Sequence, residues 1–304
     1  MSNNFDGPKL EPLTWLMLIM LSIVWGGTFF FQEIAVKELP VLTIVTIRVF
    51  LAAVTLIGVS ILFGQSLPRS LHVWRALFFL AMINNVIPFS LIVWGQKEVA
   101  SGLAAILNAT APMFAVLFAH LSTSDEKITR IKLIGAFIGF LGATILVGLE
   151  ALEDIGIALL SQLAILAATA AYAYSGVYGR RFRELGVSPL STATGQLLAS
   201  VLILIPLTLF IDQPWMLSIP SGNTVAALIG LATISTAFAY VLYFRILEAA
   251  GATNLLLVTF LIPISALTLG FFILDEELTF KHLIGIVFIG LALIAIDGRL
   301  LTKK

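Results

Sequence analysis

Long apolar runs alternate with short polar gaps along the whole chain. A helix that crosses a bilayer needs about 20 mostly apolar residues, and ten runs approach or exceed that length. They predict spans one to ten at Leu13–Phe31, Val41–Leu62, Val73–Val93, Val99–Ala119, Ile131–Leu149, Gly156–Val177, Leu190–Ile211, Asn223–Phe244, Thr253–Leu274 and His282–Ile296. Nearly every gap between runs holds charged residues, Pro or Gly. We therefore predict an all-α membrane protein with ten transmembrane helices.

The composition indicates that lipid is the solvent. Of the 304 residues, 60% are apolar and only 11% are charged, whereas soluble domains average about 25% charged residues. The 17 basic and 17 acidic residues cancel and form no basic cluster, which argues against nucleic-acid binding. The chain has no Cys, so disulfides and Cys-ligated metal sites are excluded. The predicted partners are the lipid bilayer and a small molecule. No cofactor is predicted, and a monomer can suffice although the oligomeric state is left open.

The basic residues orient the predicted spans. If both termini are cytoplasmic, most Lys and Arg fall in cytoplasmic loops, and only Lys37, Lys97 and Lys281 lie in loops on the other side. Such an excess is characteristic of the cytoplasmic loops of membrane proteins. Arg48 is the one charged residue that lies well inside a span. We therefore predict a multi-pass protein with both termini in the cytoplasm.

The second half of the chain repeats the first. Residues 125–129 read Asp-Glu-Lys-Ile-Thr, and residues 275–279 read Asp-Glu-Glu-Leu-Thr. Pro112 in span four matches Pro263 in span nine at nearly the same offset. These matches predict an internal duplication of five spans.

The duplication predicts an inverted arrangement. The first repeat occupies residues 13–149 and the second occupies residues 156–297. Because five is an odd number, the second repeat crosses the membrane in the opposite direction to the first. Inverted repeats are typical of alternating-access transporters, whose substrate site lies between the repeats and around a central cavity near the membrane midplane. The alternative is a duplicated membrane scaffold that carries nothing.

The chain resembles a known family of transporters. It has ten spans, the sequence Ser-Ile-Val-Trp-Gly-Gly at 22–27, Arg48 in span two, and a Pro-bearing fourth span followed by Asp-Glu-x-x-Thr in each repeat. In this order the features resemble the EamA-type ten-helix members of the drug/metabolite transporter superfamily over about residues 13–297. The resemblance implies a bacterial inner-membrane exporter of metabolites, most similar to exporters of amino acids, including aromatic ones.

Polar and aromatic side chains share one face of span one. Trp25 and Thr28 belong to this face, and Tyr172 and Ser175 hold the equivalent places in span six. The same face of span one also includes Ser22, Phe29 and Gln32, at the i, i+3, i+4 and i+7 spacing of a helix. Such a face can line a cavity for an apolar side chain with an adjacent polar group. We therefore predict that Trp25, Thr28, Tyr172 and Ser175 contact substrate. The alternative is an aromatic belt at the membrane interface.

Spans three and eight carry a second polar set in equivalent positions. The predicted substrate contacts in this set are Asn84, Asn85, Phe89, Ser235, Thr236 and Tyr240. Amide side chains in lipid are costly unless they find partners. The alternative role for them is hydrogen bonding between helices. Pro88 lies within the first of these sets and predicts a hinge in span three.

Proline follows a polar residue by four positions in spans four and nine. Pro112 follows Asn108, and Pro263 follows Thr259. Proline cannot donate to the carbonyl four residues earlier, so each polar side chain lies beside a freed backbone acceptor. We predict that Asn108 and Thr259 contact substrate and that both prolines act as hinges. The alternative is a kink with no binding role.

Arg48 needs a partner inside span two. An Arg deep in a helix costs about 2.5–3.5 kcal/mol on insertion scales. It could meet a substrate carboxylate, reach outward to water or pair with Glu33, and the equivalent position in the second repeat holds the neutral Gln196. We predict a gate or structural pair at Arg48.

The predicted function is export of small neutral or zwitterionic metabolites, amino acids in the first place, by facilitated alternating access. No Asp or Glu lies at mid-span, which argues against proton coupling through a buried acid. The alternative among transporters is a proton-coupled exporter of cationic drugs. A membrane enzyme needs convergent His, Asp or Glu, and the three His residues lie near span ends, so an enzyme is not predicted. A sensor or scaffold would bind ligand without flux.

Overall fold

The structure is a computed structural model. It describes residues 11–99, 101–123, 127–147, 152–153, 155, 158–265 and 280–297. Within these residues the chain forms helices joined by short turns, and no strand occurs. The two repeated segments 125–129 and 275–279 lie partly or wholly outside the described residues. The predicted all-helical class is confirmed for the described part of the chain.

The helices of the first half follow the predicted spans one to five. They are α1 (Pro12–Val36), α2 (Val41–Leu62), α3 (Leu71–Ala81), a π-helical segment (Met82–Val86), α4 (Ile87–Gly95), α5 (Ser101–Asn108), α6 (Ala111–Ser122) and α7 (Arg130–Val147). Span three is therefore α3, the π-helical segment and α4 in sequence. Span four is α5 and α6, separated by a break at Ala109 and Thr110.

The helices of the second half follow spans six to ten. They are α8 (Leu159–Gly179), α9 (Arg181–Glu184), α10 (Pro189–Ile211), α11 (Gly222–Ala232), a π-helical segment (Thr233–Phe238), α12 (Ala239–Leu256), α13 (258–265) and α14 (Phe280–Asp297). A single 3₁₀ turn, Pro214–Met216, follows α10. The end of predicted span nine, 266–274, lies outside the described residues.

Eight helices among the described residues are long and apolar enough to cross a membrane, and Phe280–Ile296 is a shorter apolar helix. The longest of the eight, Gly222–Leu256, has 35 residues, which is about 52 Å of helix and exceeds the roughly 30 Å core of a bilayer. Gly251 interrupts it with φ 79°, a backbone conformation that glycine adopts at little cost. Span eight therefore continues past its predicted end at Phe244, and span nine begins near Gly251. The multi-span membrane class is confirmed, and the full set of ten spans stays a prediction.

Glycines allow α7 and α14 to pack closely. A Cβ atom on Gly142 would lie 3.0 Å from the carbonyl oxygen of Gly285, and a Cβ atom on Gly285 would lie 2.9 Å from that of Gly142. A Cβ atom on Gly135 would meet Ile296, and one on Gly139 would meet Phe260. The small-residue face of span five therefore packs within the chain.

The helices pair across the two halves of the chain. α7 packs on α14, α2 on α10, α1 on α11 and α12, and α4 on α8. In terms of spans, these pairs are five with ten, two with seven, one with eight and three with six. Span one is equivalent to span six, and span three is equivalent to span eight. The pair of spans one and eight in one repeat order therefore corresponds to the pair of spans six and three in the other. The pattern supports the predicted duplication, whose inverted orientation stays a prediction.

The two π-helical segments occupy equivalent positions. Met82–Val86 and Thr233–Phe238 begin 151 residues apart, the offset that also relates Pro112 to Pro263. A π-helical turn adds one residue to the helix and occurs frequently at functional sites. Asn84 lies in the first segment and Thr236 in the second, so the predicted polar sets of spans three and eight lie where both helices are wound more widely.

Candidate functional site

Side chains from both halves of the chain enclose a central cavity of about 60 Å³. It is lined by Trp25, Thr28, Phe29, Gln32, Arg48, Asn84, Phe89, Ile92, Asn108, Ala111, Tyr172, Tyr240, Tyr243, Leu256, Thr259 and Ile262. These residues come from spans one, two, three, four, six, eight and nine. The volume equals about four to six water-sized spaces. The cavity is therefore narrow in this conformation.

The structure brings most of the predicted substrate contacts together at this cavity. Those that line it are Trp25, Thr28, Asn84, Phe89, Asn108, Tyr172, Tyr240 and Thr259, together with the predicted gate residue Arg48. The predicted residues that do not line it are Asn85, Ser175, Ser235, Thr236, Pro88, Pro112 and Pro263. Substrate contact by the first group stays a prediction.

Hydrogen bonds between helices account for several residues outside the cavity. The Ser175 hydroxyl donates to Oδ1 of Asn84 at 2.8 Å. The Ser235 hydroxyl donates to the carbonyl of Val24 at 3.1 Å. Asn85 is fully buried and does not line the cavity, because successive side chains of a helix point about 100° apart and Asn84 takes the direction toward the cavity. The alternative of interhelical bonding fits the geometry of Ser175 and Ser235, whereas the side-chain nitrogen and oxygen of Asn85 are buried without a hydrogen-bond partner in the described part of the chain.

Asn84 joins four spans. Its Nδ2 donates to Oε1 of Gln196 at 3.1 Å, and its Oδ1 accepts from Ser175. Its backbone carbonyl accepts from the Tyr240 hydroxyl at 3.2 Å. Spans six, seven and eight therefore meet at one residue of span three, which also lines the cavity.

Aromatic rings form much of the cavity wall. The rings of Phe89 and Tyr172 meet edge to face with centroids 6.2 Å apart, and those of Tyr240 and Tyr243 meet similarly at 5.8 Å. The ring of Trp25 lies 6.1 Å from that of Tyr243. These separations are typical of favourable aromatic pairs. The structure places Trp25 and Tyr172 in the wall of the cavity.

Arg48 is buried at this site with only 3% of its surface exposed. Its Nε donates to the Thr236 hydroxyl at 2.7 Å, and its guanidinium carbon lies 3.6 Å from the centroid of the Phe89 ring. Among the described residues no carboxylate pairs with it. Glu33, one predicted partner, lies 3.8 Å from Lys37 instead. Arg48 therefore neither reaches the surface nor forms the predicted pair with Glu33.

The breaks near the two prolines bring their polar residues to the cavity. Asn108 is the last residue of α5, and α6 begins at Ala111 with Pro112 in its first turn. Thr259 in α13 donates its hydroxyl to the carbonyl of Leu256 at 2.8 Å, next to the break at Leu257 between α12 and α13. Span four is therefore interrupted just before Pro112, at Ala109 and Thr110. The hinge role of Pro88, Pro112 and Pro263 stays a prediction.

Several lining residues lie outside the predicted set. Phe29, Gln32 and Tyr243 belong to the polar and aromatic stripes of their spans and carried a sequence signal. Ile92, Leu256 and Ile262 carried none, because an isoleucine or leucine in a span has the same sequence signature whether it faces lipid, core or cavity.

A family comparison matches both halves of the chain. The model of the EamA-like transporter family matches residues 13–148 and again residues 159–296. A crystal structure with 16% sequence identity superposes over 96% of this chain and 99% of its own, with a TM-score of 0.76. At that identity the superposition shows a shared fold.

Curated relatives match over most of their length. Uncharacterized transporter YoaV of Bacillus subtilis (strain 168) is 23% identical over 278 residues, which cover 90% of this chain and 93% of that protein. Protein PecM of Dickeya dadantii (strain 3937) is 26% identical over 286 residues, 92% of this chain and 91% of its own. Uncharacterized inner membrane transporter YedA of Escherichia coli (strain K12) is 27% identical over 258 residues, which cover 83% of this chain and 80% of that protein.

Proposed function

The chain belongs to the EamA-like transporter family, and from that membership we propose that it exports small neutral or zwitterionic metabolites, amino acids in the first place. Its membrane-crossing helices fit this role. One relative, YedA, is named an inner membrane transporter, which supports the bacterial inner membrane as the location. The distribution of Lys and Arg supports cytoplasmic termini.

The lining of the central cavity is the observation that carries the proposal. The rings of Trp25, Phe89 and Tyr172 offer apolar faces, and the amides of Asn84 and Asn108 offer donors and acceptors. Arg48 is the only charged side chain among the described residues that line the cavity. A phosphorylated substrate favours several cations, and a cationic drug favours an acidic group. The lining suits an apolar side chain with a small polar or zwitterionic head.

The narrow cavity supports alternating access. Pockets that hold drug-sized ligands occupy about 300–1,000 Å³, whereas this one has about 60 Å³. In this mechanism the two halves rock about the cavity and open it to one side of the membrane at a time. The π-helical segments and the breaks near Pro112 and Pro263 would allow this motion, because helices bend at such places. Flux follows the substrate gradient without proton coupling, because no acidic residue occurs among the described lining residues.

Efflux from proteoliposomes tests the function. We expect vesicles loaded with radiolabelled neutral amino acids to release them at a rate that does not change with a pH gradient. Failure to release any amino acid, together with proton-driven uptake of tetraphenylphosphonium, would overturn the proposal in favour of a cation exporter.

A matched pair of variants tests the cavity. We expect Trp25→Ala to lower efflux at least tenfold, because the ring forms part of the cavity wall. Phe30→Ala is the control, since this ring is 60% exposed on the same helix and should leave efflux unchanged. Melting temperatures of both proteins exclude misfolding. Full efflux from a folded Trp25→Ala protein would show that the cavity is not part of the transport path.

A further inference from the structure

We propose that Arg48 binds a carboxylate group of the transported molecule, so that substrates of this protein carry a free carboxylate. The inference rests on the proposed transport function and specifies its substrate class. It begins from a buried cation at the cavity. Arg48 makes one hydrogen bond, to Thr236, and stacks on Phe89, and no carboxylate among the described residues pairs with it.

The guanidinium group has donors in excess of its protein partners. Arginine carries five N–H donors in a planar fork, and the one bond in the structure uses Nε. The terminal nitrogens are the ones that form paired, parallel bonds with a carboxylate. A buried charge without a counter-charge is costly, and a substrate carboxylate in the cavity would reduce that cost.

The second repeat shows that the charge of Arg48 is not required for packing. Arg48 of span two bonds to Thr236 in the π-helical segment of span eight. Its repeat equivalent, Gln196 of span seven, bonds to Asn84 in the π-helical segment of span three. In the second repeat a neutral amide therefore joins the equivalent helix to the equivalent π-helical segment, at the residue next to Asn85, which is the equivalent of Thr236. The positive charge at residue 48 has a function beyond that contact.

Polar groups on the adjacent face of α1 complete the site. The Thr28 Oγ1 and the Gln32 Oε1 are buried without a hydrogen-bond partner in the described part of the chain, and both residues line the cavity. Either oxygen can accept from an ammonium or hydroxyl group. An α-amino acid presents an ammonium group beside its carboxylate, which matches acceptors on α1 together with a cation on α2.

The test compares an amino acid with its carboxamide. We expect the wild-type protein to transport the neutral amino acid with the highest efflux at least tenfold faster than the carboxamide of that amino acid. In Arg48→Gln, which copies the residue of the second repeat, we expect efflux of the amino acid to fall at least tenfold and the preference over the carboxamide to disappear. Phe30→Ala is the control, because this ring is 60% exposed, does not line the cavity and leaves Arg48 and its bond to Thr236 in place. It should change efflux by less than about threefold.

Each outcome decides between roles. A wild-type protein that carries the carboxamide as well as the amino acid would overturn the carboxylate site, even if Arg48→Gln failed to fold. Unchanged efflux from a folded Arg48→Gln protein would overturn it as well and leave amino-acid export intact. Absence of amino-acid efflux from the wild-type protein would overturn the proposed function itself.

A second inference concerns the two ends of the transport path and rests on a different observation. Glu38, in the turn between α1 and α2, accepts hydrogen bonds from the backbone N–H and the hydroxyl of Ser221 at 2.7 and 2.6 Å. Ser221 is the N-cap of α11. The bond therefore fastens the first repeat to the second at one face of the bundle. By the predicted topology this is the extracytoplasmic face.

The repeat supplies the same pair of residues at the opposite face. Lys-Glu-Leu at 37–39 corresponds to Arg-Glu-Leu at 183–185, and Ser221 corresponds to Ser70 at the offset of the π-helical segments. Ser70 begins α3 without a side-chain capping bond. Glu184 is exposed and lines a crevice of about 630 Å³ with Phe182, Leu247 and Glu248. In the described residues the bond is therefore made at one face and not at the other.

We infer that the two Glu–Ser contacts form in alternation during transport, Glu38 with Ser221 when the extracytoplasmic face is closed and Glu184 with Ser70 when the cytoplasmic face is closed. The chain has no Cys, so introduced cysteines are its only thiols and any crosslink must join them. Glu38→Cys with Ser221→Cys should be linked by a short bismaleimide in the resting protein. Glu184→Cys with Ser70→Cys should be linked faster when substrate is present, and each link should stop efflux.

Single-cysteine proteins are the controls for this experiment. Substrate-independent linking of residues 70 and 184, or simultaneous linking of both pairs in one molecule, would overturn the alternation. Because wild-type efflux is measured separately, these results do not bear on whether the protein transports amino acids.

Discussion

The contact between α7 and α14 predicts a large difference between two Gly→Ala changes. A Cβ atom on Gly142 would lie 2.8 Å from Cβ of Phe288, 2.9 Å from the backbone nitrogen of Ile289 and 3.0 Å from the carbonyl oxygen of Gly285. Backbone atoms of a helix cannot turn away as a side chain can. Gly142→Ala therefore forces the two helices apart. A Cβ atom on Gly290, in α14, would meet nothing within 4 Å.

The magnitude follows from two opposing effects. Replacing Gly by Ala in a helix is favourable by about 0.8–1.0 kcal/mol in water, and both variants share this gain. Overpacking a close contact costs about 1–3 kcal/mol, and only Gly142→Ala bears it. We expect the free energy of unfolding of Gly142→Ala to be lower than that of Gly290→Ala by about 1–3 kcal/mol.

Unfolding of the purified protein by SDS in mixed micelles measures this difference. Because α7 and α14 contribute no residue to the cavity among the described ones, the KM of transport should be the same for both folded variants. The elution volume on gel filtration should also be unchanged, because the glycines pack within the chain. Equal stabilities of the two variants would refute the close contact, and a change in oligomeric state confined to Gly142→Ala would indicate packing between chains.

Two further predictions concern hydrogen bonds between the repeats. Asn84→Leu removes the bonds to Gln196 and Ser175, and it leaves Oε1 of Gln196 without its partner, while the Ser175 hydroxyl keeps its bond to the Tyr172 carbonyl. Because a buried polar group left without a partner costs about 1–3 kcal/mol, we expect Asn84→Leu to unfold at a clearly lower SDS fraction than Asn85→Leu, and equal effects of the two changes would contradict this. The bonds from the Ser221 hydroxyl and N–H hold the pKa of Glu38 below its ordinary value of 4.5. The contribution of Glu38 to the stability of the folded protein is therefore present above pH 4.5 and is lost as the pH falls through the lowered pKa. Melting temperatures between pH 3 and 7 should show wild type and Glu38→Gln converging only at the acid end, and a constant difference across that range would contradict the assignment.

Sequence patterns predicted the helices and the polar side of the site for identifiable reasons. Trp25, Asn84 and Arg48 stand out in apolar spans, because a polar or charged group in lipid needs a partner, and such residues mark either a cavity or a contact between helices. Which of the two applies to each residue depends on its direction around the helix. Asn84 and Asn85 are neighbours in sequence, and only Asn84 lines the cavity.

Other features required the structure because no local sequence signal encodes them. The apolar lining residue Ile92 has the same pattern as any lipid-facing isoleucine. The π-helical segments depend on packing between spans, and their residues have no propensity that separates them from α-helix. The end of span eight at Gly251 was misplaced because residues 245–250 include Arg245 and Glu248, which suggested a loop although both residues are good helix formers.

The two repeats combine a shared framework with different chemistry at equivalent positions. Each π-helical segment is held by a side chain from the second span of the opposite repeat, Arg48 on Thr236 and Gln196 on Asn84. Of these two side chains only Arg48 lines the cavity, and it is the one charged side chain among the described lining residues. The positive charge therefore comes from the first repeat alone, and it would give a substrate of the zwitterionic class proposed above a preferred orientation. We therefore expect residues that differ between the two repeats, such as Arg48 and Gln196, to matter more for substrate recognition than residues that the repeats share.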